Sequence, residues 1–542
     1  MNQCALPEND CGAAVLDHVP VLQRVPDYLA LYAARCPNRE ALVLAPGGLR
    51  LSYAQFDAEL TRIQHAMLAL GIRKGERVAM LSGPRPEFML VFLAVCGIGA
   101  VWMGLNPRYS RSELEYVVRD AAPVAIFSFC GLGTRDAGSD LQALAALPGV
   151  RHLVTLDHPL PGALSWEHFM AVPADDVRLD AARAVVAARD PALLVYTSGT
   201  TGRPKGALLS HFGLVHCSRI QGSHMGHLGQ RALNNLPINH VGCVGDIATA
   251  TLLLGGTLIF MEQFEPGALI TTLGRERISL WGQVPTMFQM TLAHPQWADA
   301  DLSSLRYLVW SGAMMPRSLV SYFRTLPIKL GSAYGMTETV GSVCFTDDRD
   351  SIDVLSETIG RPDPHYQVRL ADPDGRALPP GLQGEIQVRG PFLLLEYLGR
   401  TDATAAAYTA DGWLKTGDAA LVRPDGAYEL KGRLVEMYKS GGYNVYPREV
   451  ERVLESHPAV ALACVIGVPD ELFGEVGHAL VVLHAALDAA VLRAHCALSL
   501  ANYKLPKQIT LLDSLPMLPI GKVDRMAVKQ QLLSKLLHSQ SL

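Results

Sequence analysis

Residues 196–211 read Tyr-Thr-Ser-Gly-Thr-Thr-Gly-Arg-Pro-Lys-Gly-Ala-Leu-Leu-Ser-His, and they follow the apolar run Ala192–Val195, which predicts a buried strand. Glycines let the backbone approach a ligand and turn its N–H groups toward it, while hydroxyls and a lysine add further donors. A loop composed almost entirely of donors predicts a polyphosphate site. The G-x-x-x-x-G-K-[ST] spacing of the P-loop is absent. On this segment alone, a glycine- and threonine-rich surface loop stays open as the alternative.

Four further short motifs follow along the chain. Residues 334–339 read Tyr-Gly-Met-Thr-Glu-Thr, residues 416–418 read Thr-Gly-Asp, residues 432–433 read Gly-Arg, and residues 519–525 read Pro-Ile-Gly-Lys-Val-Asp-Arg. With the first segment, in this order and spacing, they resemble the motifs of the acyl-adenylate-forming (AMP-binding) superfamily. That superfamily includes acyl-CoA synthetases, adenylation domains of nonribosomal peptide synthetases and firefly luciferase. The resemblance covers nearly the whole chain and points to the acyl-CoA synthetase branch.

The composition is that of a large folded protein. The 542 residues are 49% hydrophobic and 18% charged, with a net charge of −5, which excludes a disordered chain. No basic patch or arginine-rich tail indicates a nucleic-acid partner. The ten cysteines are scattered without a C-x-x-C pair, which predicts reduced thiols rather than a metal cluster. The residues up to Asp17 lack the features of a secretory signal, so we expect a cytoplasmic protein.

Residues 88–105 must be weighed as a membrane span, because they are uncharged, mostly apolar and near the minimum length. Glycines at 97, 99 and 104 interrupt the second half of this stretch. We therefore predict a buried helix, Pro86–Ile98, followed by a strand, Ala100–Leu105, which is a unit that the family also has. We expect no transmembrane segment, and peripheral contact with a membrane stays open.

The pattern of apolar runs predicts an α/β fold. Strand-like runs alternate with amphipathic helical patterns, which is typical of layers with parallel strands. These runs are Arg77–Leu81, Val124–Phe127, Thr257–Phe260 and Tyr307–Trp310. Between residues 360 and 430, turn signals such as Asp372-Pro373-Asp374-Gly375 separate short β-rich runs and predict a β-rich subdomain.

A smaller unit begins after Arg433. Its predicted elements are a helix from Pro447, strands Ala461–Val468 and Val476–Leu483, and a helix from about Asp488 to Leu500. We therefore predict a large N-terminal α/β domain of several subdomains, residues 1–432, with its β-rich subdomain at about 355–432. A small mobile α+β C-terminal domain, residues 433–542, would follow a hinge near residues 433–436.

The resemblance implies a two-step reaction: ATP and a carboxylic acid give acyl-AMP and pyrophosphate, and a thiol then captures the acyl group. Phosphoryl chemistry of this kind needs donors and cations around the phosphates. The implied phosphate-binding residues are Thr197, Ser198, Gly199, Thr200, Thr201, Gly202 and Lys205. Glu338 and Thr197 are the implied ligands of a Mg²⁺ ion that bridges ATP oxygens, and both are implied catalytic residues.

The resemblance also assigns the nucleoside contacts. Tyr334 offers a flat face for adenine, Asp418 can accept both ribose hydroxyls, and Arg433 contacts the nucleotide. The remaining implied residues are Gly312, Ala313 and Met314 on the other adenine face, and Gly335, Met336 and Thr337 beside Tyr334.

Lys522 is the most specific of the catalytic assignments. In the family this lysine lies near the acyl carboxylate and the α-phosphate during adenylation, where a point cation stabilises charge that shifts in the transition state. The motif departs from the common pattern at Leu518, where threonine is frequent, and at Ile520, where serine is frequent. Ser440, Gly441 and Gly442 resemble the loop on the pantetheine side of CoA.

The acid pocket is assigned through His240, which matches a family position at the pocket mouth and is thought to order the site between the two steps. Val241, Gly242 and Gly312 are the other implied acid contacts. Amino-acid-activating relatives usually carry aspartate at the position of Val241, and hydroxybenzoate activators often carry asparagine. Valine would leave an ammonium group unpaired at high cost. We therefore expect an apolar acid, with a fatty acid as the leading expectation, and CoA as the acceptor.

Three alternatives remain open: a ligase that loads the phosphopantetheine of an acyl carrier protein, an aryl- or amino-acid-adenylating enzyme, and a non-enzymatic binding relative. The joint presence of Lys205, Glu338, Asp418 and Lys522 argues against a non-enzymatic binding relative.

Within the hinge, the family's pivot falls on Val435, where aspartate or lysine is common. Valine is stiff at its first side-chain torsion, which predicts slow domain rotation, and Glu436 is the alternative pivot.

Overall fold

The computed structural model describes residues 16–133, 135–197, 204–441, 443–470, 472–518 and 522–540, with side chains up to residue 534. In these ranges the chain forms two large and mostly parallel sheets, an antiparallel sheet, and a separate C-terminal sheet. Helices alternate with the strands along the chain, so the predicted α/β class is confirmed.

The first large sheet contains the strands that end beside the candidate site. Its central strands are parallel, and antiparallel pairs close both edges. Across the sheet the strands are Arg361–Pro362, Gly341–Phe345, Lys329–Met336, Tyr307–Ser311, Leu280–Gln283, Arg231–Asn234, Thr257–Phe260, Glu40–Leu44 and Arg50–Ser52.

The second large sheet contains the strand that leads into the phosphate segment. Across this sheet the strands are Glu396–Tyr397, Lys205–Ser210, Pro191–Thr197, Val101–Leu105, Arg77–Leu81, Ala125–Ser128, His152–Thr155 and Leu164–Ser165. Thr197 pairs with Lys205 across an antiparallel register, so the two ends of the phosphate segment lie side by side.

Two smaller sheets follow. The predicted β-rich region is an antiparallel sheet of Gln367–Ala371, Gln383–Arg389, Leu414–Val422 and Tyr428–Arg433. The last sheet is built from Tyr438–Ser440, Tyr443–Val445, Val460–Asp470, Gly474–Leu483 and Gln508–Leu512. A short ribbon pairs Gly131–Leu132 with Arg135–Asp136.

The helices are of several kinds. The α-helices are Val25–Arg35, Tyr53–Ala69, Pro86–Gly97, Arg111–Ala121, Gly138–Ala145, Trp166–Met170, Asp176–Ala184, His211–Met225, Ala250–Leu253, Pro266–Arg275, Pro285–Leu292, Arg317–Phe323, Ile352–Glu357, Thr401–Ala407, Pro447–Glu455, Ala489–Ala497 and Arg525–Gln540. A π-helix spans Gly242–Thr249, and 3₁₀ helices span Pro295–Asp299, Thr337–Thr339, Leu434–Glu436 and Asn502–Lys504.

The apolar stretch that had to be weighed as a membrane span is a buried helix followed by a strand, as predicted. Helix Pro86–Gly97 begins at proline, which suits the first helical turn. Its Phe88 ring lies 5.4 Å from Trp102 of one large sheet and 6.0 Å from Phe260 of the other. The helix therefore packs between the two sheets. Within the described residues, no helix is long and apolar enough to cross a membrane.

Most predicted elements agree with the structure to within one or two residues. Strands Arg77–Leu81 and Thr257–Phe260 have the predicted ends. The helix expected over Asp488–Leu500 covers only Ala489–Ala497, because its chain turns at Leu498, and the strand expected over Ala461–Val468 extends to Val460–Asp470.

Replacing Phe88 by alanine should destabilise the large domain. The ring is fully buried between two sheets, so its removal leaves a cavity that costs about 3–5 kcal/mol of unfolding free energy. Denaturant unfolding followed by tryptophan fluorescence measures this loss. Val177, which is 83% exposed, supplies the control Val177→Ala, which should change stability by less than about 0.5 kcal/mol. Equal stability of the two variants would contradict this packing.

Candidate active site

Glu338 joins the two large sheets. It lies in the 3₁₀ helix Thr337–Thr339, directly after the strand Lys329–Met336, and is 5% exposed. The Tyr397 hydroxyl donates to Glu338 Oε1 at 2.6 Å, and the Thr197 hydroxyl donates to the same oxygen at 3.4 Å. Tyr397 and Thr197 both belong to the second sheet. The buried carboxylate is therefore held by donors from the neighbouring sheet.

Tyr397 is a site residue that the sequence analysis missed. Burial and the Glu338 carboxylate raise the pKa of its hydroxyl, which therefore stays protonated and donates. The Lys205 ammonium lies 5.1 Å from the centre of the Tyr397 ring. Tyr397 stands in an apolar run, and only its pairing beside the Lys205–Ser210 strand reveals its position.

A second cluster joins Tyr334, Asp418 and Arg433. Tyr334 donates its hydroxyl to Asp418 Oδ2 at 2.7 Å, and Arg433 Nε lies 3.2 Å from Asp418 Oδ1. Asp418 and Arg433 are direct partners in the register of the antiparallel sheet. Burial and the Asp418 charge raise the pKa of Tyr334. Two neighbouring strands of the antiparallel sheet thus place one carboxylate against Tyr334, near the end of a strand of the first sheet.

Lys522 enters this cluster from the C-terminal part of the chain. Its side chain lies against Gly312: a Cβ at that glycine would be 2.8 Å from Lys522 Cε and 3.2 Å from Nζ. Gly312 has φ +84°, a conformation that favours glycine. Burial, reinforced by the charge of Arg433, lowers the pKa of Lys522, while Asp418 opposes that shift.

Arg525 anchors the lysine segment. Its guanidinium contacts Glu451 Oε1 at 2.6 Å and Glu436 Oε2 at 3.0 Å, and it donates to the Val465 carbonyl at 2.9 Å. Glu436 belongs to the 3₁₀ helix Leu434–Glu436 in the expected hinge. One partly buried arginine, Arg525, therefore ties the lysine segment to the residues of the expected hinge and of the C-terminal sheet.

His240 lies at the start of the π-helix Gly242–Thr249. Its Nδ1 accepts the Gly242 N–H at 3.1 Å. Burial and the nearby charge of Lys522 lower the pKa of His240 to about 4, so the ring is neutral at neutral pH. Val241 is 4% exposed, and its Cγ2 would lie 3.4 Å from a Cβ at Gly245.

The remaining predicted residues fall into three groups. Gly335, Met336 and Thr337 continue from Tyr334 to Glu338, and Ala313 and Met314 follow Gly312 at the end of the parallel strand Tyr307–Ser311. Ser440 ends a strand of the C-terminal sheet, and Gly441 follows it in a turn, where its N–H donates to the Phe473 carbonyl. Ser198, Gly199, Thr200, Thr201, Gly202, Gly442 and residues 519–521 lie outside the described residues.

Comparison with known families assigns both parts of the chain. Residues 29–398 match the family described as AMP-binding enzyme, and residues 449–522 match the AMP-binding enzyme C-terminal domain. The two matches together define an adenylate-forming enzyme. The chain belongs to the AMP-binding enzyme family, within its acyl-CoA synthetase branch.

Curated relatives cover nearly the whole chain. A feruloyl-CoA synthase of Amycolatopsis sp is 37% identical, over 91% of this chain and 96% of the relative. An indoleacetate–CoA ligase of Aromatoleum aromaticum is 35% identical, over 91% of this chain and 95% of that relative. A long-chain-fatty-acid–CoA ligase of Mycobacterium tuberculosis is 30% identical, over 91% of this chain and 96% of that relative. The protein is therefore an AMP-forming acid–CoA ligase that uses ATP, CoA and a small organic acid. These relatives give no support to a carrier-protein partner.

Solved structures share the fold. The amide bond synthetase McbA of Marinactinospora thermotolerans is 28% identical and superposes with a TM-score of 0.82, over 94% of this chain and 99% of that one. Enzymes of this kind combine a large N-terminal domain with a small C-terminal domain, as the sequence predicts.

Gly312→Ala should impair acyl-AMP formation, because the new Cβ would lie 2.8 Å from Lys522 Cε and displace the lysine. Gly412→Ala is a matched control: φ is +83° there, against +84° at Gly312, and no atom lies within 4 Å of its Cβ position. Both variants share a backbone strain of about 1 kcal/mol. Acid-dependent ATP consumption should fall about 100-fold or more in Gly312→Ala alone. A similar fall in both variants would show that strain, and not the lysine, is responsible.

Proposed function

We propose that this ligase converts an apolar carboxylic acid into an acyl-AMP with release of pyrophosphate, and then transfers the acyl group to CoA. The observation that carries the proposal is the position of Lys522 against Gly312, beside Asp418, Arg433 and His240. A buried cation is costly unless it meets negative charge. The α-phosphate of ATP and the carboxylate of the acid supply that charge.

In the first step, a carboxylate oxygen of the acid attacks the α-phosphorus, and the bond to the pyrophosphate oxygen breaks. Negative charge moves from the carboxylate toward the phosphates, so a fixed cation between the reactants lowers the barrier. Lys522 is suited to this task because Gly312 leaves room for it. Lys205, with the donors of residues 197–202, would hold the leaving pyrophosphate.

Glu338 and Thr197 fit a Mg²⁺ ion bound together with ATP. Both protein donors to Glu338 contact Oε1, so in the described part of the chain Oε2 is left for a ligand. No group of three His, Cys, Asp or Glu side chains that could hold a metal converges among the described residues. The other ligands would be phosphate oxygens and water, which Mg²⁺ prefers. When bound, the ion would neutralise phosphate charge.

The nucleoside would lie between two segments at the edge of the first sheet. We assign one adenine face to the Tyr334 ring and the other to Gly312, Ala313 and Met314. Asp418 would accept hydrogen bonds from the ribose hydroxyls. Its carboxylate is already oriented by Tyr334 and Arg433, so little reorganisation would be needed on binding.

The second step requires Lys522 to withdraw so that the CoA thiol can reach the acyl carbon. We propose that the C-terminal unit rotates about residues 433–436 and brings the turn at Ser440–Gly441 to the site. Gly441 has φ +57°, which permits a tight turn without a side chain beside the pantetheine arm. Neutral His240 would order the site between the two steps.

The acid is proposed to have an apolar body. Val241 is buried and uncharged at the position where amino-acid activators pair an ammonium group. The named relatives act on aromatic and on long-chain acids, so the fatty acid expected from the sequence is one candidate and an aromatic acid is the other. AMP release from cinnamate, indoleacetate, decanoate and phenylalanine, with and without CoA, tests the proposal. CoA-dependent AMP release from an apolar acid supports it, and preference for phenylalanine or no release from any acid contradicts it.

Lys522→Ala should reduce acyl-AMP formation by about 10²–10³, the usual effect of removing one preorganised charge contact. Thioester formation from supplied acyl-AMP and CoA should largely survive, because the lysine withdraws before that step. Lys529→Ala, at an exposed lysine of the helix that follows, is the control and should retain both half-reactions. Equal losses in both half-reactions of Lys522→Ala would refute the assigned role.

Val435→Pro tests the hinge. Val435 is 63% exposed in a 3₁₀ helix, whose φ is close to the value that proline imposes, so the present arrangement should persist. Rotation requires a change of backbone angles that proline resists. Acyl-AMP formation should stay within a few-fold of wild type, while thioester formation should stop. Val435→Ala, the control, should retain both. Loss of both half-reactions in Val435→Pro, or of neither, would make Glu436 the better candidate for the pivot.

A further inference from the structure

The helix Arg111–Ala121 contacts the chain on both sides of the phosphate segment. Tyr116 donates its hydroxyl to the Pro204 carbonyl at 2.9 Å, after the segment. Tyr196, before the segment, donates its hydroxyl to Asp120 Oδ2 at 2.8 Å. Tyr116 and Asp120 are four residues apart, so they lie on the same face of the helix. One helix face therefore holds both strands where they enter and leave the segment.

The Asp120 carboxylate also contacts a third part of the chain. Arg400 Nη2 lies 2.6 Å from Asp120 Oδ1, so each carboxylate oxygen meets one donor. Burial and the Asp120 carboxylate raise the pKa of Tyr196, whose hydroxyl therefore stays protonated and donates. The Arg400 N–H donates to the Tyr397 carbonyl at 2.9 Å. Asp120 thus ties the strand that ends in the phosphate segment to the turn after Tyr397.

The two parts of the chain that Asp120 ties together also meet at Glu338. The hydroxyls of Thr197 and Tyr397 donate to Glu338 Oε1 at 3.4 and 2.6 Å. Lys205 pairs with Thr197 across the strands, and its ammonium lies 5.1 Å from the centre of the Tyr397 ring. Asp120 therefore closes a ring of contacts around the side chains that would meet the terminal phosphates of ATP.

Packing fixes the position of the helix independently of these polar contacts. Four of its residues are buried in the core of the second large sheet: Leu114, Val117, Val118 and Ala121. The same core contains Leu194 and Leu208, from the two strands that flank the phosphate segment. Ser110 and Glu113 form a capping box that fixes the first turn of the helix. The helix is therefore a firm support from which Asp120 can orient other groups.

We propose that Asp120 is a positioning residue for the terminal phosphates of ATP, acting through Tyr196 and Arg400 rather than by touching the nucleotide. It fixes the separation of the two parts of the chain whose hydroxyls meet at Glu338. The inference rests on the proposed function, because those groups are proposed there to meet the pyrophosphate portion of ATP and its Mg²⁺ ion. AMP lacks this portion, so Asp120 matters for the binding of ATP and not of AMP.

Asp120→Asn tests the inference, because it keeps the shape of the side chain but leaves one acceptor oxygen for two donors. Calorimetric titration in the presence of Mg²⁺ measures the dissociation constants of ATP and AMP. The constant for ATP should rise about 10-fold or more, the usual effect of losing a group that orients a metal ligand, while that for AMP changes by less than about twofold. Acyl-AMP formation from ATP should fall, and thioester formation from supplied acyl-AMP should be retained.

Asp140→Asn is the matched control. The Asp140 side chain is 11% exposed, against 15% for Asp120, and it also bridges two donors, Arg111 at the other end of the same helix and Arg135. The control carries the same chemical change and should leave both dissociation constants unchanged. Tyr196→Phe removes one donor and keeps the carboxylate, so it carries the test if Asp120→Asn does not fold. It should raise the constant for ATP and not that for AMP.

The inference is overturned if the Asp120 and Tyr196 variants weaken ATP and AMP binding equally, if they weaken neither, or if Asp140→Asn weakens ATP binding as much. It is also overturned if thioester formation falls as far as acyl-AMP formation, because a general disturbance of the fold would then explain both losses. The proposed function fails separately, if the wild-type enzyme gives no CoA-dependent AMP release with any acid. The binding comparison requires no acid and is unaffected by that outcome.

Discussion

The buried carboxylate of Glu338 imposes the strongest constraint on this structure. A charge in that position needs donors, and they come from Thr197 and Tyr397, which are 141 and 59 residues away in sequence. Both donors belong to the second large sheet, whereas Glu338 follows a strand of the first. The helix Pro86–Gly97 packs between the same sheets and sets their separation. Core packing and the position of the Glu338 carboxylate therefore depend on each other.

The lysine segment depends on a second set of long-range charges. The Lys522 ammonium lies in a region that already contains the Arg433 guanidinium. The charge of Asp418 offsets the repulsion between these two cations. Arg525 holds the segment to Glu451, which is 2% exposed, and to Glu436 in the expected hinge. Because Arg525 contacts both Glu451 and Glu436, rotation at the hinge would have to break the contact with Glu436 or carry Arg525 along. The pairing couples the position of Lys522 to the hinge conformation.

Local sequence patterns predicted the elements that depend on hydrophobic periodicity and turn chemistry. Strand Arg77–Leu81 and the buried helix that begins at Pro86 are examples, because an apolar run bounded by glycine or proline admits few other structures. The π-helix Gly242–Thr249 was not predicted. No local propensity distinguishes its hydrogen-bond pattern from that of an α-helix.

By itself, the sequence determined which chemical groups the site contains: the motifs around Thr197, Glu338, Asp418 and Lys522 identify a ligase that forms an adenylate. The tertiary structure alone decided which partners those groups meet. Tyr397 carries no motif, and its importance follows from a sheet pairing. The physical reason is that the environment of a charge is set by residues brought together through folding, whereas a motif records only neighbours along the chain.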